Sequence, residues 1–270
     1  MSQIIFFRTS LVFYFLGCLL FLLNLWDKRG AEEKPSGLPM SQRIAFIVTG
    51  IGFLCHTIAL GIQLQSDIPF RSPKEAVSFF SWAIVLIFFW VELRYRVYVM
   101  GSLILPMAFL SLISAATLSD NSNPIDPTLK GTLLGIHTTL SLLGIVAFAI
   151  AAVSGIMYLT QEGFLKSKQF GPLYYKLPAL GLLDQWNKTA LMWGIPLLTL
   201  GIITGALWSQ YAFGFFWSVN SPKQLLALAG WFFYLIVFQG RITLGLRARR
   251  AAMLSIIGFI GIIFIFTTLN

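Results

Sequence analysis

Charge is scarce in this chain. Only 11% of its 270 residues are Asp, Glu, Lys or Arg, against about a quarter in an ordinary soluble domain, too few to clothe a water-soluble globule of this size. The two cysteines, Cys18 and Cys55, both fall inside apolar runs, which excludes a disulfide framework, and no CxxCH pair marks a c-type cytochrome. The sequence has no Walker loop, no HExxH helix, no Ser-His-Asp set and no dense carboxylate pair, so nothing supports hydrolysis or nucleotide-driven pumping. A net charge of +9 could suggest nucleic acid, but the Lys and Arg residues sit between apolar runs and build no continuous basic face. Nucleic acid is therefore not an expected partner.

What the chain does have is hydrophobicity, in 57% of positions, gathered into recurrent apolar runs. Eight of them, at 4–26, 44–64, 77–91, 97–118, 133–159, 189–208, 224–238 and 251–268, predict membrane-spanning helices. A run of about 20 residues is enough to cross a hydrocarbon core about 30 Å thick. The expected fold is an all-α integral membrane protein, a bundle of about eight transmembrane helices whose main partner is membrane lipid. The connections are mostly short and rich in Pro, Gly, Asn, Asp or charge, as at 27–43 and 119–130. Within the first run the stretch from Ser10 to Trp26 follows Arg8 in the manner of a signal peptide but stays apolar past any small-residue cleavage site, and the run is read as a retained helix. Phe15-Leu16-Gly17-Cys18 matches a lipoprotein box only loosely.

Basic residues predict the orientation. Fourteen of the 19 fall on one set of alternate connections and five, Arg8, Arg71, Lys74, Lys130 and Lys223, on the other. An excess of Lys and Arg marks the cytoplasmic side when connections are short, so both termini and the 208–223 loop are predicted outside. The longest connection, 160–188, alternates basic residues with Phe164, Phe170, Tyr174 and Tyr175 and is expected to lie along the cytoplasmic lipid surface.

Two features carry possible chemistry. The segment 208–223 holds Trp208, Tyr211, Phe213, Gly214, Phe215, Phe216 and Trp217, which an interfacial aromatic belt would also explain. The two histidines, His56 and His137, lie in the second and fifth runs, and metal-binding groups inside membrane helices are candidates for function because hydrocarbon makes them costly. A histidine facing a shelf of Trp and Phe suits haem, the ring binding iron axially while aromatic faces cover the porphyrin. Helix packing explains His137 equally well and is the plainer account of His56. Gly201-Ile-Ile-Thr-Gly205 is a GxxxG pattern, which favours close helix approach.

From Trp208 to Trp231 the sequence resembles the tryptophan-rich loop of the cytochrome c assembly family of haem-handling membrane proteins, the CcsA, ResC and HemX group. The resemblance starts near Pro73-Lys74-Glu75-Ala76 and Phe80-Ser81-Trp82 and takes in His137 and Tyr158-Leu159-Thr160-Gln161-Glu162. It continues through Leu177-Pro178-Ala179-Leu180, Leu183-Asp184, Leu200-Gly201 and Gly205-Ala206, and ends with Arg249-Arg250-Ala251-Ala252 and Leu254-Ser255-Ile256-Ile257-Gly258-Phe259. Two N-terminal helices over 1–71 would then precede a six-helix assembly-like part over 72–270, within one polytopic unit.

The resemblance implies a bacterial cytoplasmic (inner) membrane protein of cytochrome c biogenesis that presents or transports haem at the outer face. His137 would bind the haem iron, and Trp208, Phe213, Gly214, Phe216, Trp217 and Trp231 would cradle the cofactor; His56 maps onto no ligand of the family and is a further candidate only for completing the iron, beside water or a partner residue. A biogenesis subunit and apocytochrome c would be partners, and strict catalysis is not required. The sequence departs from the family's approximate WGxYWxWDPKE loop. Phe213-Gly214-Phe215-Phe216-Trp217-Ser218-Val219-Asn220-Ser221-Pro222-Lys223-Gln224 lacks two tryptophans, the Asp and the Glu and gains a residue. Gln239 stands where the family has a histidine before Arg, and no histidine follows the eighth helix. The alternative is a HemX-like membrane regulator acting on a soluble haem-synthesis enzyme without transferring haem. A small-molecule carrier ranks last, for want of paired intramembrane charges or an inverted repeat of broken helices.

Overall fold

The computed structural model describes residues 2–26, 40–66, 72–118, 132–168, 170–217 and 222–268. They form nine α-helices and no strand: α1 (Ser2–Trp26), α2 (Met40–Ser66), α3 (Pro73–Tyr95), α4 (Val99–Thr117), α5 (Thr132–Ser167), α6 (Pro172–Lys176), α7 (Leu180–Phe213), α8 (Pro222–Ile242) and α9 (Ala248–Thr268). All but the five-residue α6 are long and apolar enough to cross a membrane. The protein is an all-α, multi-pass membrane protein, as the apolar runs predict.

The helices outrun the apolar runs, and the 160–188 connection is the clearest correction. α5 continues to Ser167 and α7 begins at Leu180, which leaves only a short connection holding α6. The run ends where charge begins, but Gln161, Glu162 and Lys166 are good helix formers that carry the backbone ladder on. Pro178 sets the start of α7, and Asp184, Asn187 and Lys188 lie inside it rather than in a loop. Within the connection, Phe170 and Tyr175 are exposed. Lys176 Nζ donates to the carbonyls of Asn24 (2.7 Å) and Leu25 (3.4 Å), closing the end of α1. Of the basic residues used for orientation, Lys28, Arg29, Lys34, Arg71 and Lys130 lie outside the described residues, as do residues 218–221 of the aromatic loop.

The chain divides into two compact units. The first holds α1 to α4 and α6 with the last residues of α5; the second holds the rest of α5 with α7, α8 and α9. In the first, glycines let helices approach closely: a Cβ on Gly101 would lie 2.6 Å from the Phe21 ring, and one on Gly52 would lie 2.8 Å from Phe13. Phe53 packs on Trp82 and Phe89 across α2 and α3, and the Ser81 hydroxyl donates to the Ala108 carbonyl between α3 and α4 at 2.8 Å. Both cysteines are in this unit and both are free thiols.

In the second unit α5 and α7 run antiparallel in a stepped register. The Asn187 amide donates to the Ala151 carbonyl (2.8 Å). Gly194 then meets Phe148, Leu198 meets Gly144, Gly201 meets Ser141, and Gly205 meets His137. α8 and α9 join through Tyr234, whose ring stacks on Phe148 at 3.8 Å and whose hydroxyl donates to the Ser255 carbonyl. At about 1.5 Å per residue α5 and α7 are each about 50 Å long, well beyond the hydrocarbon thickness of about 30 Å. Their ends therefore extend toward the polar layers.

Candidate functional site

The antiparallel register decides what meets His137. Because the start of α5 lies against the end of α7, the histidine is half-buried beside Gly205, and the aromatic segment begins at the same end of the unit. The His137 Nδ1–H donates to the Gly201 carbonyl at 2.7 Å. That carbonyl also accepts the Thr204 hydroxyl at 3.0 Å. A carbonyl can only accept, so the contact fixes the proton of the neutral ring on Nδ1 and leaves a lone pair on Nε2. Among the described residues Nε2 makes no hydrogen bond.

Trp208 follows Gly201 by seven residues and so lies on the same face of α7. Its indole meets Phe213 edge to face at 5.5 Å, and Phe213 stacks on Phe215 at 5.8 Å. Gly214 ends the helix in the left-handed region at φ +78°, where an L side chain would be strained. The Ser209 hydroxyl then holds the Phe215 carbonyl at 2.9 Å. The consequence is an apolar display with Phe213, Phe215 and Phe216 exposed and Trp217 half-buried. Trp231 belongs to the α7–α8 packing, its indole N–H donating to the Thr199 hydroxyl at 2.8 Å. Gln239 is exposed near the end of α8.

His56 lies in the first unit and is fully buried. Its Nε2 is hydrogen-bonded to the Ser78 hydroxyl at 3.0 Å and its Nδ1 to the Tyr14 hydroxyl at 3.3 Å, with Phe7 and Tyr14 edge-on to the ring. Both nitrogens are engaged, so a metal could bind only by displacing one hydroxyl. No group of three His, Cys, Asp or Glu residues able to hold a metal ion occurs among the described residues.

Reading by hydropathy missed a polar cluster at the opposite end of the second unit. The buried Arg241 guanidinium pairs with Asp184 at 2.5 Å and reaches the Asn187 side-chain oxygen at 3.3 Å. Asn187 also donates to the Ser255 hydroxyl at 3.0 Å. One amide thus ties α7 to α5, α8 and α9. Asp184 and Asn187, three apart, were a visible signal once the helix was extended back to Leu180. In the first unit Glu92 is buried near the end of α3. The neighbouring Tyr98, in the turn before α4, has its phenol pushed up to about 12 by burial and then by the Glu92 carboxylate.

Comparison with known proteins adds a lineage to this geometry. A family model described as Cytochrome C assembly protein matches residues 72–270. The chain is 28% identical over 239 residues to the cytochrome c biogenesis protein CcsA of Guillardia theta, covering 80% of this chain and 79% of that protein. It is 27% identical over 283 residues to CcsA of Trieres chinensis, covering 93% and 89%. For CcsA of Prochlorococcus marinus (strain AS9601) the identity is 27% over 286 residues, covering 96% and 89%.

Proposed function

The chain belongs to the cytochrome C assembly protein family, and from that premise we propose that it works in cytochrome c biogenesis by presenting haem at the outer face of the membrane. The observation that carries this reading is the His137 ring, held through Nδ1 on Gly201 with the Nε2 lone pair left over. An imidazole fixed by a carbonyl on one nitrogen is the usual arrangement of a metal-ligating histidine. The residues present fit haem in chemistry: one nitrogen donor beside an apolar aromatic display that would pack on a porphyrin face.

In this reading His137 would hold the haem iron, and Trp208, Phe213, Phe216 and Trp217 would pack on the macrocycle and exclude water. Gly214 turns the segment back over the end of α7. Haem bound there would supply the vinyl groups for thioether formation with the thiols of apocytochrome c. The chain's own contribution is to bind, orient and shield. A partner assembly subunit or water would supply any further ligand beside His137. The protein would sit in the bacterial cytoplasmic membrane with both termini and the 208–223 loop outside, in line with the basic-residue count.

One observation favours a second reading. Gln239 stands exposed where the family's histidine is expected, and a reduced ligand set suits a HemX-like regulator that acts on a soluble haem-synthesis enzyme. The absorption spectrum of the detergent-purified protein, expressed with ample haem, tests the first reading. A Soret band present in the wild type, lost in His137→Ala and weakened in Trp217→Ala is expected, whereas a haem-free wild type sinks it. Gene deletion separates the two: loss of mature c-type cytochromes supports presentation, and altered abundance of the haem-synthesis enzyme with normal cytochromes supports regulation.

A further inference from the structure

The sequence pattern Gly201-x-x-x-Gly205 suggests close helix packing by both glycines, but the structure gives them different work. A Cβ on Gly201 would meet α5 backbone, 3.0 Å from the Ser141 nitrogen and 3.1 Å from its Cα, besides the Ser141 hydroxyl. These atoms cannot yield without moving the helix. A Cβ on Gly205 would meet something else: its three nearest atoms all belong to the His137 ring, Nδ1 at 2.5 Å, Cε1 at 2.6 Å and Cγ at 3.3 Å. The missing side chain of Gly205 is the space in which the imidazole lies.

We propose that Gly205 is a positioning residue for the His137 ligand. Together with the Gly201 carbonyl it forms a seat that holds the imidazole as the Nδ1–H tautomer and presents Nε2 outward. The assignment rests on the haem-binding reading for its purpose, but the seat itself is testable without haem. Two constraints act on the ring at once. The Gly201 carbonyl, 2.7 Å away, accepts only a proton carried by Nδ1, and the open face of Gly205 lets the ring lie flat enough against α7 to reach that carbonyl. A methyl at position 205 would force the ring away from its place, at the very nitrogen that makes this hydrogen bond, and so lengthen or misalign it. The proton would then be free to move to Nε2, where it blocks the lone pair. Loss of such a supporting contact typically weakens metal binding about 10- to 100-fold.

The experiment uses the full-length protein labelled with 15N-histidine in lipid nanodiscs. The chain has only two histidines, so His56 serves as an internal reference. Without haem, the His137 ring of the wild type is expected as the Nδ1–H tautomer. In Gly205→Ala that ring is expected to lose the tautomer while the His56 signals stay in place, and haem titration is expected to show affinity about 10- to 100-fold lower. Gly135→Ala, whose Cβ meets nothing, should change neither. An unaltered tautomer and affinity in Gly205→Ala would overturn the assignment, as would an Nε2–H ring in the wild type. A wild type that takes up no haem overturns the haem reading, and the haem-free tautomer still decides the seat. Packing is separated from positioning by a double variant. With His137→Ala in place the Gly205→Ala methyl has no ring to push and Ala is the better helix former, so the double variant should melt no lower than His137→Ala. A lower value would make Gly205 a packing glycine and overturn the assignment.

Discussion

Each of the two units holds one histidine, and they keep it in opposite ways. His56 is sealed between α1, α2 and α3, with a hydroxyl on each ring nitrogen and aromatic edges against its faces. His137 is half-buried at the end of a helix pair, with one nitrogen on a backbone carbonyl and the other without a hydrogen bond among the described residues. Hydrocarbon makes an unsatisfied polar atom expensive, so the first arrangement follows from depth alone. The second leaves the acceptor capacity of Nε2 unused among the described residues, which is acceptable only near the polar layer or where a ligand takes it. The difference teaches that a histidine's role inside a membrane protein is decided by how many of its nitrogens the fold consumes.

The comparison breaks most sharply at haem binding. His137→Ala should abolish the Soret absorbance of the haem-loaded protein, and His56→Ala should retain it; equal loss in both would erase the distinction. Stability should respond in the reverse order. His56→Ala opens a cavity and strands the Tyr14 and Ser78 hydroxyls, at a cost of about 3 kcal/mol. Thermal unfolding in detergent should show a lower melting temperature for it than for His137→Ala.

The second unit has its own sealed polar group in Asn187, and Asn187→Ala should cost about 2 kcal/mol by stranding the Ser255 hydroxyl and an Arg241 N–H. It should leave haem affinity unchanged, because the cluster lies at the opposite end of that unit from His137. The same unfolding and titration measurements check both parts. The smallest effect is expected from Ser78→Ala, which removes one of the two partners of His56. About 1 kcal/mol should be lost, with the tautomer of His56 shifting by 15N resonance while that of His137 does not.

Much of the fold was legible in the sequence, and the failures have one cause. Eight spans were visible because apolar runs of sufficient length admit no other spanning structure in lipid. Their ends were not, because Glu92 at the end of α3 and Asp184 and Lys188 at the start of α7 interrupt hydropathy without interrupting helix. α7 begins at Leu180, so part of the expected surface loop is the helix that carries the Asp184–Arg241 pair. At the candidate site, His137, Trp208, Phe213, Gly214, Phe216 and Trp217 could be named from residue type and family resemblance. Trp231 could be named too, yet its indole proves to be bonded to Thr199, a pairing invisible from sequence.

What the sequence by itself determined is the number, order and membrane character of the eight spanning helices and the family to which they belong. Backbone groups in hydrocarbon must be satisfied within each helix, so that information is local. Only the tertiary structure decided which histidine keeps a lone pair. That outcome depends on α5 meeting α7 in a register that sets His137 against residues 64 and 68 positions away. No local pattern encodes such a register, because it emerges from the packing of small residues along two whole helices.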